Sequence, residues 1–160
     1  MEDYFALYDV PLSFFPDEKL IRERFYAISR DSHPDLHASS GPSEAMKRTM
    51  MNNEAYRIIS NFDKRLPYIL ELKGLMIPGE KYDLKPAFLM EMLELNEELD
   101  EARVSGSLGN IHQKVQTLSD DLEQVLKQLC EQYDKSGQEE LLPEIKDLYY
   151  RRKYLQRLVL

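Results

Sequence analysis

The 160-residue chain has one cysteine, no long apolar run and no surplus of positive charge. Each shortage closes off a class of protein. With Cys130 alone there can be no disulfide within the chain and no CxxC metal knuckle, and a reducing compartment is the natural setting. Cys130 also lies in a helical apolar pattern, where a core thiol is the simplest reading. No apolar stretch approaches the roughly 20 residues of a membrane-spanning helix. Nothing at the N-terminus resembles a charged segment leading into an apolar signal core, so a cytoplasmic protein with no membrane contact is expected. A net charge of −8 and a pI near 5.0 argue against nucleic-acid binding, whose affinity comes mainly from Lys and Arg. The charge is uneven, at −2 over residues 1–76 and −6 over residues 77–160. A local basic face is therefore to be sought in the N-terminal half.

What is present suits a folded, charge-rich helical protein: 42% of residues are apolar and 31% charged. The length allows one ordinary domain or two small ones. No stretch alternates with period two over β-branched residues, so an all-α fold is expected. "EDYFALYDVP" reads as a short helix with Asp3 as N-cap, and "DEKLIRERFYAISR" as a second with Asp17 as N-cap and Leu20, Ile21, Phe25 and Ile28 on its apolar face. A third is expected from near Ser43 to about Phe62, with Met51, Ala55, Ile58 and Phe62 as an apolar face at alternating steps of four and three, which lets the helix lie antiparallel to its predecessor. The short segment "RLPYILELKG" ends at Gly74. A Pro-Gly turn in "LMIPGEKYDLK" then marks a boundary, giving residues 1–74, a linker 75–85 and residues 86–160.

Three further helices are expected at 86 to about 104, 110 to about 134, and 139 to 160, forming a three-helix bundle. Pro86 and Pro143 fall early enough to be tolerated. Ile111, Val115, Leu118, Leu122, Val125, Leu129 and Tyr133 would make the seam of the middle helix. Arg152 interrupts the corresponding seam of the last, its long stem reaching solvent.

The densest chemistry lies in "SRDSHPDLHASS", Ser29 to Ser40. Pro34 disfavours helix at His33 and lacks an N–H, so the second helix should stop near Asp31 or Ser32. His33 and Asp35 would then sit on an exposed loop. As a metal site the loop is poor: His33 and His37 have i, i+4 spacing, but Pro34 disrupts a helix through them, no third ligand is evident, and HExxH is missing. Catalysis would need a nucleophile or a positioned partner, and neither a glycine-rich elbow nor a carboxylate pair around a cleft is present. A plain polar turn and a docking loop for another protein remain.

The neighbouring helix bears on that choice. Lys19, Arg22, Tyr26 and Arg30 fall on one side of the wheel, opposite Ile21, Phe25 and Ile28. Read blandly, they are a solvated surface with pairs such as Arg22 with Glu18. A cationic helix face ending in His-Pro-Asp resembles the J domain of co-chaperones that activate DnaK-type chaperones. "YFALYDVP" is similar to that family's first helix, "LIRERFYAISRDSHPD" to its second helix and loop, and "NNEAYRIISN" to its third. The resemblance implies that His33, Pro34 and Asp35 engage the chaperone's nucleotide-binding domain and promote ATP hydrolysis. Lys19, Arg22 and Arg30 would supply attraction to an acidic surface on it. Many members have Lys after the tripeptide, where this chain has Leu36.

"FLMEMLELNEELDEARV", Phe88 to Val104, carries a second pattern. Phe88, Met92, Leu95, Leu99 and Ala102 form a bundle-facing stripe. Met90 falls nearly opposite, Leu93 well off it, Leu89 at its margin, and Glu94, Glu97 and Glu101 share the outer side. Either the outer residues form an apolar spot with an acidic rim for a partner, or Leu89 and Leu93 belong to a wide core face while Met90 packs on the N-terminal domain.

Placed after a J-like region, this segment is similar to the C-terminal domain of the HscB co-chaperones of iron-sulfur cluster assembly. The resemblance implies an L-shaped, all-α adaptor: an N-terminal J domain, a helical hairpin with short flanking helices, followed by a C-terminal three-helix bundle. It implies that Leu89, Met90, Leu93, Glu94, Glu97 and Glu101, with Tyr150 on the last helix, match the surface that binds an IscU-type scaffold. The chaperone partner would be of the HscA type, in the DnaK class. No catalytic residue, metal site or cofactor of the chain's own is expected. The cysteine-rich N-terminal extension of some eukaryotic relatives is missing, so the match is to bacterial-type members. A general J-type co-chaperone for unfolded clients and a histidine-dependent metal protein or enzyme are the alternatives.

Overall fold

Two aspartates start the first two helices. Asp3 turns its carboxylate onto the N–H groups of Phe5 and Ala6 at 3.0 and 3.1 Å, opening α1 (Tyr4–Leu7). Asp17 does the same for Lys19 and Leu20 at 3.0 and 3.2 Å, opening α2 (Glu18–Asp31). Both satisfy donors that a helix N-terminus leaves without partners. The computed structural model describes residues 1–32 and 42–158, and the expectations resting on His33, Pro34, Asp35, Leu36 and His37 lie outside the described residues. The remaining helices are α3 (Pro42–Ile59), α4 (Phe62–Leu72), α5 (Pro86–Ser105), α6 (Leu108–Ser136) and α7 (Leu141–Leu158). The fold is all-α, with no strand among the described residues. It divides into two compact units, Met1–Gly74 and Leu75–Leu160.

In the first unit α2 and α3 are antiparallel: Phe25 stacks on Tyr56 with ring centroids 4.4 Å apart, and the later Ser29 meets the earlier Asn52. The buried face of α3 differs from the expected one. Asn52, Ala55 and Ile59 are buried, Met51 is exposed, and Ile58 and Phe62 are half-buried. Asn52 causes the difference. Its carboxamide accepts from the Tyr8 hydroxyl at 2.9 Å and donates to the Phe25 carbonyl at 3.0 Å and to Ser29 Oγ at 3.1 Å, so a polar residue fills a core position without leaving polar atoms unpaired.

The expected third helix also ran too far. It ends at Ile59, and Asn61 caps a separate helix by accepting from the Lys64 N–H at 3.2 Å. That helix, α4, buries Leu66, Tyr68, Ile69 and Leu70. It also buries Arg65, which donates to the carbonyls of Phe14, at 2.7 Å, and Ile59.

The second unit is a three-helix bundle. Phe88, Met92, Leu95, Leu99 and Ala102 of α5 form one core with Ile111, Val115 and Leu155. Gly106 ends α5 in the left-handed region, at φ +78°, returning its N–H to the Ala102 carbonyl at 2.9 Å. Along α6 the expected Ile111, Val115 and Tyr133 are buried, but before Tyr133 the fully buried residues are Leu126 and Cys130, while Val125 is exposed and Leu129 half-buried. Arg152 does not reach solvent as expected. It is buried and directs Nη1 at both carboxylate oxygens of Glu123, 3.4 and 3.3 Å away on α6.

Candidate functional site

In α2 the apolar face is held by α3, which leaves Lys19, Arg22, Tyr26 and Arg30 exposed on the other side. Among the described residues none of these three cations forms an ion pair, and the Arg22–Glu18 pair is not made. Arg57 of α3 is different: Glu54 engages it through both Nε and Nη2, and the pairing lowers the Glu54 carboxyl below its ordinary value. Unpaired surface cations act over about a Debye length of 8–10 Å and attract an approaching anionic surface. The helix ends at Asp31, with buried Ser32 as C-cap, and so carries this face to within a few residues of His33 in sequence. His33, Pro34 and Asp35 themselves lie outside the described residues.

The two sides of α5 separate sharply. Met92 is 1% exposed and Leu95 3%, whereas Leu89, Met90 and Leu93 are 44%, 58% and 52% exposed. Leu89 and Leu93 are therefore not part of a wide core face. Glu94, Glu97 and Glu101 are exposed beside them and form no ion pair among the described residues. Their neighbours are neutralised within the chain: Lys114 holds Glu98 at 2.9 Å, and Arg103 approaches Asp100 at 3.5 Å. The result is an apolar patch with an open acidic rim. Contiguous exposed apolar side chains of this kind mark contact surfaces more often than isolated ones do.

Tyr150 belongs to α7. Its ring stacks on Tyr82, centroids 4.4 Å apart and planes 10° from parallel, and its hydroxyl donates to Glu80 Oε1 at 2.9 Å. Tyr82 in turn donates to Asp147 Oδ1 at 2.8 Å. Each carboxylate also meets a cation: Lys146 lies 3.0 Å from Glu80, and Arg151 2.8 Å from Asp147 Oδ2. Lys146 additionally donates to the Leu75 carbonyl. Residues 75–85, expected as a linker, are thus fastened to α7.

Burial first, then the bond to Asp147, raises the Tyr82 hydroxyl to about 12. Tyr150 is raised as well, by burial and then by its bond to Glu80. Lys146 is the main cause that lowers Glu80. Sequence reasoning missed Tyr82, Glu80, Lys146 and Asp147, because the tyrosine and its carboxylate partner lie 65 positions apart.

No group of three or more His, Cys, Asp or Glu side chains among the described residues could hold a metal ion. No described helix is long and apolar enough to cross a membrane.

Comparison with known proteins gives a consistent picture. Residues 84–159 match a family described as the HSCB C-terminal oligomerisation domain. A co-chaperone protein HscB homolog from Burkholderia thailandensis is 27% identical over 93% of this chain and 87% of its own length. Another, from Cupriavidus taiwanensis, is 34% identical over 63% of this chain and 60% of its own. Among solved structures, human co-chaperone protein HscB superimposes with a TM-score of 0.68 at 26% identity, covering 99% of this chain and 79% of that one. The chaperone HscB from Vibrio cholerae has the same fold, with a TM-score of 0.56 at 24% identity over 98% of this chain and 97% of that one.

Proposed function

We propose that this chain, which matches the HSCB C-terminal family model over residues 84–159 and is similar to HscB co-chaperones over most of its length, binds an IscU-type iron-sulfur scaffold, brings it to an HscA-type chaperone of the DnaK class and stimulates that chaperone's ATPase. The α5 patch carries the reading. Leu89, Met90 and Leu93 are exposed on the helix whose opposite side is buried, and around them Glu94, Glu97 and Glu101 form no ion pair among the described residues. In this division of labour residues 1–74 serve as the J domain. His33, Pro34 and Asp35 contact the chaperone, and Lys19, Arg22 and Arg30 speed the encounter, since complementary charge acts mainly on association rate. Residues 86–160 hold the scaffold, and residues 75–85 join the two.

Two moderate interfaces on one chain raise the local concentration of scaffold at the chaperone, so neither contact has to be tight alone. ATP and the cluster belong to the partners. The chain itself acts in the cytoplasm without catalysis, cofactor or nucleic acid.

Steady-state ATP hydrolysis by the HscA-type chaperone, with this protein and scaffold added separately and together, tests the reading. More-than-additive stimulation is expected. His33→Gln should abolish stimulation and leave scaffold affinity unchanged, while Met90→Ala with Leu93→Ala should weaken scaffold binding and leave helicity unchanged. Stimulation indifferent to scaffold would point to a general J-type co-chaperone instead.

A further inference from the structure

Tyr82 and Tyr150 form a reciprocal clasp. The tyrosine of the 75–85 segment donates to a carboxylate on α7, and the tyrosine of α7 donates to a carboxylate on the 75–85 segment. The rings between them are stacked at 4.4 Å, and Tyr149 closes on Tyr150 edge-on at 5.2 Å. Both hydroxyls are occupied inside the chain, so neither has to be satisfied by a bound partner. Four residues after Tyr82 the chain enters α5 at Pro86, and the first turn of that helix leads to Leu89 and Met90. The same end of α5 is held from α7 through Phe88, which has Tyr154 edge-on at 6.0 Å and the Arg151 guanidinium over its ring at 4.9 Å. Arg151 is also the cation bound to Asp147, the acceptor of the Tyr82 hydroxyl. Arg151 therefore links Asp147 of the clasp to Phe88 at the N-terminal end of α5.

We propose that Tyr82 is a positioning residue for scaffold binding: through its stack on Tyr150 and the short run to Pro86, it fixes the first turn of α5 and with it Leu89 and Met90. This rests on reading the outer face of α5 as the scaffold-binding surface. Tyr150 acts in the same unit and contributes through Tyr82, not as a separate contact. Holding a surface in its bound geometry raises affinity by removing the cost of ordering it during association. The ring stack is the essential part, because Asp147 keeps its pair with Arg151 when the Tyr82 hydroxyl is removed.

Scaffold affinity measured by calorimetry on the full chain tests this, with chaperone stimulation in the absence of scaffold as the control. Tyr82→Ala is expected to weaken scaffold binding about threefold to tenfold, in line with the worth of an aromatic pair. Tyr150→Ala should weaken it equally, and the double variant no further, since the two act as one unit. Tyr82→Phe, which keeps the stack, should retain wild-type affinity, and stimulation by the J-like unit should not change in any of them. An unaltered affinity in Tyr82→Ala despite a lowered melting temperature would overturn the proposal, leaving the clasp merely structural. So would a loss confined to Tyr150→Ala. Met90→Ala with Leu93→Ala serves as the separate check: if that variant binds scaffold normally, the underlying reading of α5 fails.

Discussion

In the first unit three of the polar groups taken out of water end on backbone carbonyls and neutral side chains. Asn52 meets Tyr8, Ser29 and the Phe25 carbonyl; Arg65 donates to two carbonyls; and the Tyr68 hydroxyl donates to the Glu2 carbonyl. In the second unit the corresponding groups end on carboxylates: Tyr82 on Asp147, Tyr150 and Lys146 on Glu80, Arg152 on Glu123. Neutral acceptors do not titrate and are little screened by salt, whereas carboxylates do and are. The hydrogen bonds of Asn52 and Tyr68 in the first unit therefore vary little with ionic conditions. The second unit ties the region next to its apolar patch to groups that respond to salt and acid.

The largest expected effects are those that should not distinguish the units. Met92→Ala and Ile69→Ala, one fully buried apolar residue in each unit, should each cost about 2–5 kcal/mol, similarly at low and high salt. Urea unfolding at two salt concentrations measures this, and a strongly salt-dependent loss for Met92→Ala would break the comparison. Polar deletions come next. Asn52→Ala should destabilise the first unit by about 1–3 kcal/mol at any salt concentration, because Ser29 Oγ loses a buried partner. Glu80→Gln should produce a smaller loss in the second unit that fades as salt rises.

Acid gives the smallest and most selective effect. Glu80 is held below the ordinary carboxylate value of 4.5, so its contribution is complete above that value and is lost as pH falls through the folded one. Glu71 in α4 is shifted the other way by burial, so its contribution to the first unit is present at low pH and lost as pH rises. Glu54, lowered by Arg57, opposes this, but the pair lies on the surface, where such pairs contribute little. Lowering the pH from about 6 to about 4 should therefore destabilise the second unit relative to the first. Thermal unfolding followed through methyl resonances of Ile69 and Leu126 would separate the two, and parallel shifts would count against the contrast.

The same contrast governs what could be read from the sequence. Phe88, Met92, Leu95, Leu99 and Ala102 were legible because an apolar stripe at steps of four and three faced a charged side, and all five are buried. The caps Asp3 and Asp17 were legible because capping is decided within a few residues. The register of α3 was not, since a periodicity that counts only apolar residues passes over Asn52, whose burial depends on Tyr8 44 positions away. The burial of Leu126 and Cys130 in α6 was not legible either, since Val125 and Leu129 beside them are equally apolar. Of the candidate site, the exposed residues of α5 followed from the stripe opposite them. The clasp around Tyr82 joins groups too distant in sequence for any local pattern to pair.

The separation of the two sides of α5 bears on how such a protein can change. The residues that hold the bundle together and those left exposed are non-overlapping sets interleaved on one helix. Substitutions at Leu89, Met90, Leu93, Glu94, Glu97 and Glu101 are free to change the surface without drawing on the stability of the bundle. The helix is in that sense a cassette: its outer face could be exchanged for that of another bundle while its buried face kept the fold intact.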